Sequence, residues 1–352
     1  MTLSVIPKRS LAELTSFGLG GPAEHFVEVA TQAEVLSALK QAVSRGWKVH
    51  VLGGGSNLIV ADAGVEGLVL RMVTHGIDVE DAGNEARVTV QAGESFAGFV
   101  AWSVGEGLQG LECLAGIPGT AGATPIQNVG AYGQEVAETI EAVEVLDRVT
   151  GSLEWWPKGA CDFSYRNSRF KREASRFIVL RVRFRLRRSA APAIRYAELS
   201  RALAQVGSPT LKAVHDAVLQ LRAGKSMLLD PHDPNGRSAG SFFTNPIVRE
   251  VQARAVGARA RALGLVADAA DLPSFPADNG HVKLSAGWLI ERAGFPRGFR
   301  QGTVGVSTAH ALCLVHHGSG TTDALLSLAH DICCAVKRVF DVSLEREPVL
   351  WA

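Results

Sequence analysis

No run of about 18 uninterrupted apolar residues occurs in the 352-residue chain, so no membrane-spanning helix is expected. The opening "MTLSVIPKRSLAEL" lacks the apolar core of a secretion signal, and a cytoplasmic location is expected. Excess charge of either sign is missing too: Lys plus Arg number 36 and Asp plus Glu 35. That balance gives no global pull toward nucleic acid or an anionic membrane, but leaves room for a local basic site that holds a small anion. Cysteine is scarce. Cys113, Cys161, Cys313, Cys333 and Cys334 are odd in number and show neither a CxxC pair nor Cys/His ligand spacing. Buried free thiols in a reducing compartment are expected, and no metal. The adjacent His316 and His317 have no carboxylate or cysteine partner at metal spacing and are expected at the surface.

What is present is an ordinary globular composition, 47% hydrophobic and 20% charged, long enough for two or three domains. "FVEVATQAEVLSALKQAVSRGWKVHVLGGGSN" reads as strand, helix, strand, loop. Thr31 and Glu34 form a capping-box pattern, Val35, Leu36, Leu39, Ala42 and Val43 follow helical spacing, and Gly46 suits the stop. "WKVHVLG" and "GLVLRM" read as strands, "ARVTVQAG" as another, and "FAGFVAWSVGEG" as a short helix. In "RFIVLRVRFRLRR", Ile178, Leu180, Val182, Phe184 and Leu186 alternate with Arg181, Arg183, Arg185 and Arg187, a period of two with one solvated arginine face. The composition shifts after "RRSAAPA". Val214, Ala217, Val218 and Leu221 then mark an amphipathic helix, and Leu325, Leu328, Ala329, Ile332, Val336 and Val339 mark a second. The expected class is α+β: lobes at residues 1–70 and 71–204, and a C-terminal domain at 205–352 that closes on the strand-like "LEREPVLW".

Two glycine-rich segments stand out. "VLGGGSN" places Gly53, Gly54, Gly55, Ser56 and Asn57 after a strand, where main-chain and side-chain donors can meet an anion. It is neither a Walker loop nor a Rossmann fingerprint, since no Gly-Lys-Ser/Thr follows and Leu58 stands where the third glycine would be. The second, "GLECLAGIPGTAGATPIQNVGAYGQEV", spaces Gly116, Gly119 and Gly122 three apart and continues through Thr124, Gln127, Asn128, Gly130, Ala131, Tyr132 and Gly133. Irregular stretches of this length are usually binding loops. Two of them can clasp a pyrophosphate, which suits FAD; a glycine-rich lid without a ligand is the other reading. "GRSAGSFFTNP" poses a similar choice for Ser241, between a turn residue and a proton donor held in a water-poor pocket.

In the order "LGGGSN", "LAGIPGTAGATPIQNVGAYG", "FSYRNSRFK", "GSFFTNP", "KLSAGWLIERAG" and "LEREPV", the chain resembles the UDP-N-acetylenolpyruvoylglucosamine reductase family over nearly its whole length. The resemblance implies an FAD-binding region of the vanillyl-alcohol-oxidase/PCMH type, about residues 16–188, with a further substrate-binding domain. It implies a flavoenzyme in which NADPH reduces FAD and the enolpyruvyl nucleotide takes a hydride at its methylene carbon and a proton at its α-carbon. Carried over by motif, Arg166 in "SYRNS" and Glu347 in "LEREP" stabilise the carboxylate, with Glu345 a rival for the latter, and Ser241 is the proton donor. Tyr165, Tyr196, Lys225, Asn245 and His310 fall at substrate-binding positions. Gly53, Gly54, Gly55, Ser56, Asn57, Pro118, Gly119, Gly122, Ala123, Thr124, Gln127, Asn128, Gly130, Ala131 and Tyr132 fall at cofactor-binding ones. Ser226 and Met227 depart from the family's pattern beside Lys225. The implied partners are the small-molecule nucleotide and NADPH, with no nucleic acid or membrane, and the chain is expected to be a monomer. Two other functions fit the glycine loops: an oxidase of the same FAD fold, and a nucleotide-sensing module without turnover.

Overall fold

The computed structural model describes residues 3–188, 191–277 and 280–352. Contacts divide the chain into two units, one of residues 1–10, 22–55 and 65–229, the other of residues 11–21, 56–64 and 230–352.

Among its described residues the first unit contains two large sheets and a short two-stranded one, Gly130–Ala131 with Gln134–Glu135. Strands Ile6–Ser10, Pro22–Val29, Val65–Met72 and Val49–Leu52 lie in that order, the first pair antiparallel and the others parallel. Helix Gln32–Arg45 begins on the expected capping box and ends at Gly46, whose φ of 67° is the left-handed conformation a glycine adopts without Cβ strain. It buries Val35, Ala38 and Ala42, while Val43 is 82% exposed. The apolar stripe is therefore narrower than the expected set, because Leu36 and Val43, two turns apart on one side of the helix, are exposed.

The second sheet runs Leu153–Pro157, Ile140–Asp147, Phe177–Arg188, Glu85–Gln91, Ile77–Ala82, all antiparallel. Its arginine face is paired rather than merely solvated. Arg181 donates to both carboxylate oxygens of Glu144 at 2.6 and 2.7 Å, Arg185 pairs with Glu141, and Arg183 lies 4.3 Å from the Trp155 ring centre. The cause is register: Arg181 sits opposite Glu144 on the neighbouring strand.

Leu146, Ile178 and Leu180 join Val27, Val29, Leu68 and Leu70 in one buried cluster, so the two sheets share a core. A larger cluster unites Val88, Phe99, Val182 and Phe184 with Val214 and Val218 of helix Leu211–Ala223. This helix therefore belongs to the first unit, and the contact division falls after Leu229 rather than near residue 205.

In the second unit, helix Thr322–Phe340 buries Leu325, Leu328, Ile332, Val336 and Phe340. Its first two N–H groups donate to the carboxylate of Asp62, at 2.9 and 3.0 Å. Small antiparallel sheets surround it: Ile247–Arg249 with His281–Leu284 and Ser274–Pro276, and Arg300–Gln301 with Val304–Val306 and Leu314–His316. The final strand, Val349–Trp351, runs parallel to Leu58–Val60.

Two expectations are corrected. His316 is buried, not superficial, and its Nε2 lies 2.6 Å from the Phe17 carbonyl oxygen. Cys113, Cys161 and Cys313 are buried, but Cys334 is exposed because it lies on the outer side of helix Thr322–Phe340. No described helix is long and apolar enough to cross a membrane.

Candidate active site

In the first unit the two glycine segments meet. A Cβ added to Gly54 would lie 2.7 Å from the Gly119 Cα, and one on Gly53 would lie 2.6 Å from Thr120 Oγ1. Only glycine lets the chains approach this closely, and the paired segments present main chain rather than side chains. The second segment is fixed from behind: Phe96 N donates to Gly119 O, Ala121 N to Glu94 O and Gly122 N to Ala92 O, at 2.9–3.0 Å. A cradle of bare backbone fits a large dinucleotide cofactor, and Gly53, Gly54, Gly55, Pro118, Gly119, Gly122 and Ala123 are the residues that would hold it. Thr124 is buried, with its hydroxyl donating to Ala121 O at 2.8 Å. Gln127 is half-buried within the turn of residues 124–128.

The end of this segment meets the predicted substrate residues. Arg166 donates through Nη2 to Gly130 O at 2.6 Å, and its guanidinium lies 5.2 Å from the Tyr165 ring centre. Asn128 donates to Glu135 at 2.7 Å and to Ser164 O at 3.1 Å, and accepts from Ala137 N at 3.1 Å. Arg166, Asn128, Tyr132 and Ser226 all have positive φ, of 51°, 46°, 47° and 54°. Such conformations cost a non-glycine residue about 1–3 kcal/mol and persist where the surroundings hold them. Four of the described left-handed non-glycine residues thus fall at or beside predicted site positions.

Next to Ala131, Tyr132 meets Tyr196 edge to face at 5.6 Å, and Lys225 Nζ lies 5.5 Å from the Tyr132 ring centre. Burial pushes the Tyr132 hydroxyl up to about 12, and burial first, then Glu198, raises Tyr196. Both phenols are neutral donors at neutral pH.

The second unit gathers a different set. Gly240 (φ 70°) precedes half-buried Ser241, and the Phe242 and Phe243 rings behind it are buried and 5.1 Å apart. Phe242 N donates to Leu312 O at 2.7 Å, and Glu347 N donates to Phe242 O at 2.9 Å. Asn57 Nδ2 donates to Glu347 O at 3.3 Å, and Asn57 O accepts from Val349 N at 3.0 Å. Glu347 is half-buried and Glu345 exposed. His310 Nδ1 accepts from Leu312 N at 3.1 Å, in the turn that receives Phe242.

Ser241, Glu347, Asn57 and His310, far apart in sequence, therefore share one neighbourhood of the second unit. Ser56 belongs to this unit as well, half-buried, with Ser56 O accepting from Ser16 Oγ at 3.3 Å. Asn245 has a structural task the sequence did not disclose: its Oδ1 accepts from Ala286 N at 2.9 Å, at the start of helix Ala286–Arg292.

A cleft of about 350 Å³ in the first unit, between Glu85, Gln109, Thr139 and Lys158, contains none of the predicted residues. Two of its arginines are paired, Arg185 with Glu141 and Arg195 with Glu138. Among the described residues no cluster of three or more His, Cys, Asp or Glu could hold a metal ion.

Residues 23–156 match the FAD binding domain family, which makes the chain an FAD-binding flavoprotein and agrees with the glycine cradle. Residues 230–351 match the family described as UDP-N-acetylenolpyruvoylglucosamine reductase, C-terminal domain. Enzymes named UDP-N-acetylenolpyruvoylglucosamine reductase resemble it along its length. The one from Streptomyces coelicolor is 47% identical, over 96% of this chain and 88% of its own. That of Thermobifida fusca is 46% identical, over 99% of each chain, and that of Pseudomonas aeruginosa 40%, over 100% of each. The crystal structure of the Thermus caldophilus reductase superposes with a TM-score of 0.67 at 26% identity, covering 100% of both chains. The chain belongs to the UDP-N-acetylenolpyruvoylglucosamine reductase family and is an oxidoreductase.

Proposed function

We propose that this chain reduces UDP-N-acetylglucosamine enolpyruvate to UDP-N-acetylmuramate with NADPH, a step of peptidoglycan precursor synthesis, acting as a cytoplasmic monomer. The observation that carries the reading is the convergence of Ser241 and Glu347, 106 positions apart, through the bond from Glu347 N to Phe242 O. The glycine cradle of Gly53, Gly54 and Gly119 would hold FAD, which when bound would supply the hydride chemistry at the enolpyruvyl methylene carbon.

The chain's own residues manage charge and protons. Arg166 holds the substrate carboxylate, where negative charge gathers as the double bond is reduced, and its guanidinium stays charged throughout. Glu347, in its protonated form, donates to the same carboxylate. The Ser241 hydroxyl gives its proton to the α-carbon and completes the saturated lactyl ether. The buried phenyl rings behind Ser241 keep water from competing. Tyr165, Tyr196, Lys225 and His310 bind the nucleotide; Asn245 joins them through its amide NH2, since its oxygen serves the helix start. Gln127, Asn128, Gly130, Ala131 and Tyr132 complete the cofactor loop.

Turnover with product analysis tests this. NADPH and the enolpyruvyl nucleotide should disappear one for one as UDP-N-acetylmuramate forms. Hydrogen peroxide made from oxygen, with no requirement for the enolpyruvyl nucleotide, would instead identify an oxidase.

A further inference from the structure

The segment that carries Tyr196 also carries a carboxylate that the reading above leaves unused. Glu198 is the second residue of the short helix Ala197–Ala202. Its Oε2 lies 2.5 Å from Lys225 Nζ, with the two side chains only 32% and 26% exposed. Lys225 is also the cation beside the Tyr132 ring, which in turn meets Tyr196. These four side chains, from three separate segments, form one cluster with Lys225 as its ammonium group.

A partly desolvated ammonium against aromatic rings requires a counter-charge. Glu198 supplies it here. A phosphate arriving at Lys225 brings its own negative charge, and a carboxylate retained at hydrogen-bond distance from the same ammonium repels it. The ligand must then either displace Glu198 or bind against it.

We propose that Glu198 is a place-holding anion: it occupies Lys225 when no ligand is bound and sets the affinity for a nucleoside diphosphate by competing for that lysine. The proposal rests on the reading of Lys225 as a substrate-binding residue. Glu198 acts through Lys225 and is therefore a positioning residue.

The test uses the full-length flavin-bound protein and UDP, with affinity measured by calorimetry. E198Q keeps the shape and removes the charge. It should tighten UDP binding by roughly two- to five-fold, the range for losing one ion pair of this exposure. In turnover it should lower KM with kcat unchanged. K225A should weaken UDP binding, and in the K225A background E198Q should have no effect, because the competition has lost its object. A structural role for Glu198 would persist in that background.

If K225A weakens UDP binding while E198Q leaves it unchanged or weaker, the place-holding role is overturned and the assignment of Lys225 stands. If K225A leaves UDP binding unchanged, the assignment of Lys225 falls and the proposal with it. Should E198Q not yield folded protein, E198A decides the question on the same criteria.

Discussion

Ser241, the proposed proton donor, has a glycine of φ 70° before it and two buried phenyl rings after it. Ser241→Ala should leave the loss of flavin colour on adding NADPH nearly intact. Return of the colour with the enolpyruvyl nucleotide should slow by roughly 10²–10⁴-fold, the scale of a lost general acid. Equal slowing of both phases in a stopped-flow record would contradict the assigned role. Arg166→Ala should slow the second phase by about 10²–10³-fold. Arg166→Lys should recover only part of that, since it keeps the charge but loses the planar fork that reaches Gly130 O. At this scale the sequence identified residue types and motifs but not environments. The register of "LEREP" favoured Glu347 over Glu345, but no local pattern shows that the Asn245 oxygen is committed to Ala286 N, because that contact is distant along the chain.

At the scale of elements, the apposition of the glycine segments has a direct consequence. Gly54→Ala drives a methyl group into the Gly119 backbone and should cost roughly 1–3 kcal/mol, seen as a lower Tm and less flavin bound per chain. Gly105→Ala, at the end of helix Phe96–Gly105 with nothing within 4 Å, should instead be neutral or gain up to about 1 kcal/mol. Wild-type Tm and flavin content in Gly54→Ala would show that the segments do not meet as described.

Strand Leu314–His316 supplies a dependence on pH. Burial holds His316 below its ordinary value of 6.5, against a smaller upward pull from the Phe17 carbonyl. Between 6.5 and that lower folded-state value, the unfolded chain takes up a proton that the folded chain refuses. The stabilisation is therefore complete above pH 6.5 and is lost as pH falls through this window. The melting temperature should be lower at pH 5.5 than at 7.5, and His316→Gln should narrow the difference. It should not abolish it, since His50 and His317 are lowered by burial in the same direction. An unchanged difference would exclude His316 as a contributor.

Local signals at this scale were legible: the Thr31–Glu34 cap, the αL stop at Gly46 and the alternation in Phe177–Arg188 all follow from neighbours in sequence. The burial of His316 against Phe17, and the pairing of Leu58–Val60 with the last strand, involve partners nearly 300 residues away and leave no local pattern.

For the whole molecule, composition and charge pointed to a globular chain with no global pull toward nucleic acid or membrane, and six ordered motifs pointed to its family, which full-length similarity bears out. The course of the chain was less legible. Residues 11–21 and 56–64 belong with the C-terminal unit, and helix Leu211–Ala223 with the N-terminal one. Periodicity identifies an element, whereas its place depends on which core accepts its apolar face. The account's central claim is that this flavoprotein passes reducing equivalents from NADPH to an enolpyruvyl nucleotide. It is tested most directly by visible spectra of the purified protein without oxygen. NADPH should bleach a flavin spectrum, and UDP-N-acetylglucosamine enolpyruvate should then restore it; a spectrum that stays bleached until oxygen is admitted would contradict the account.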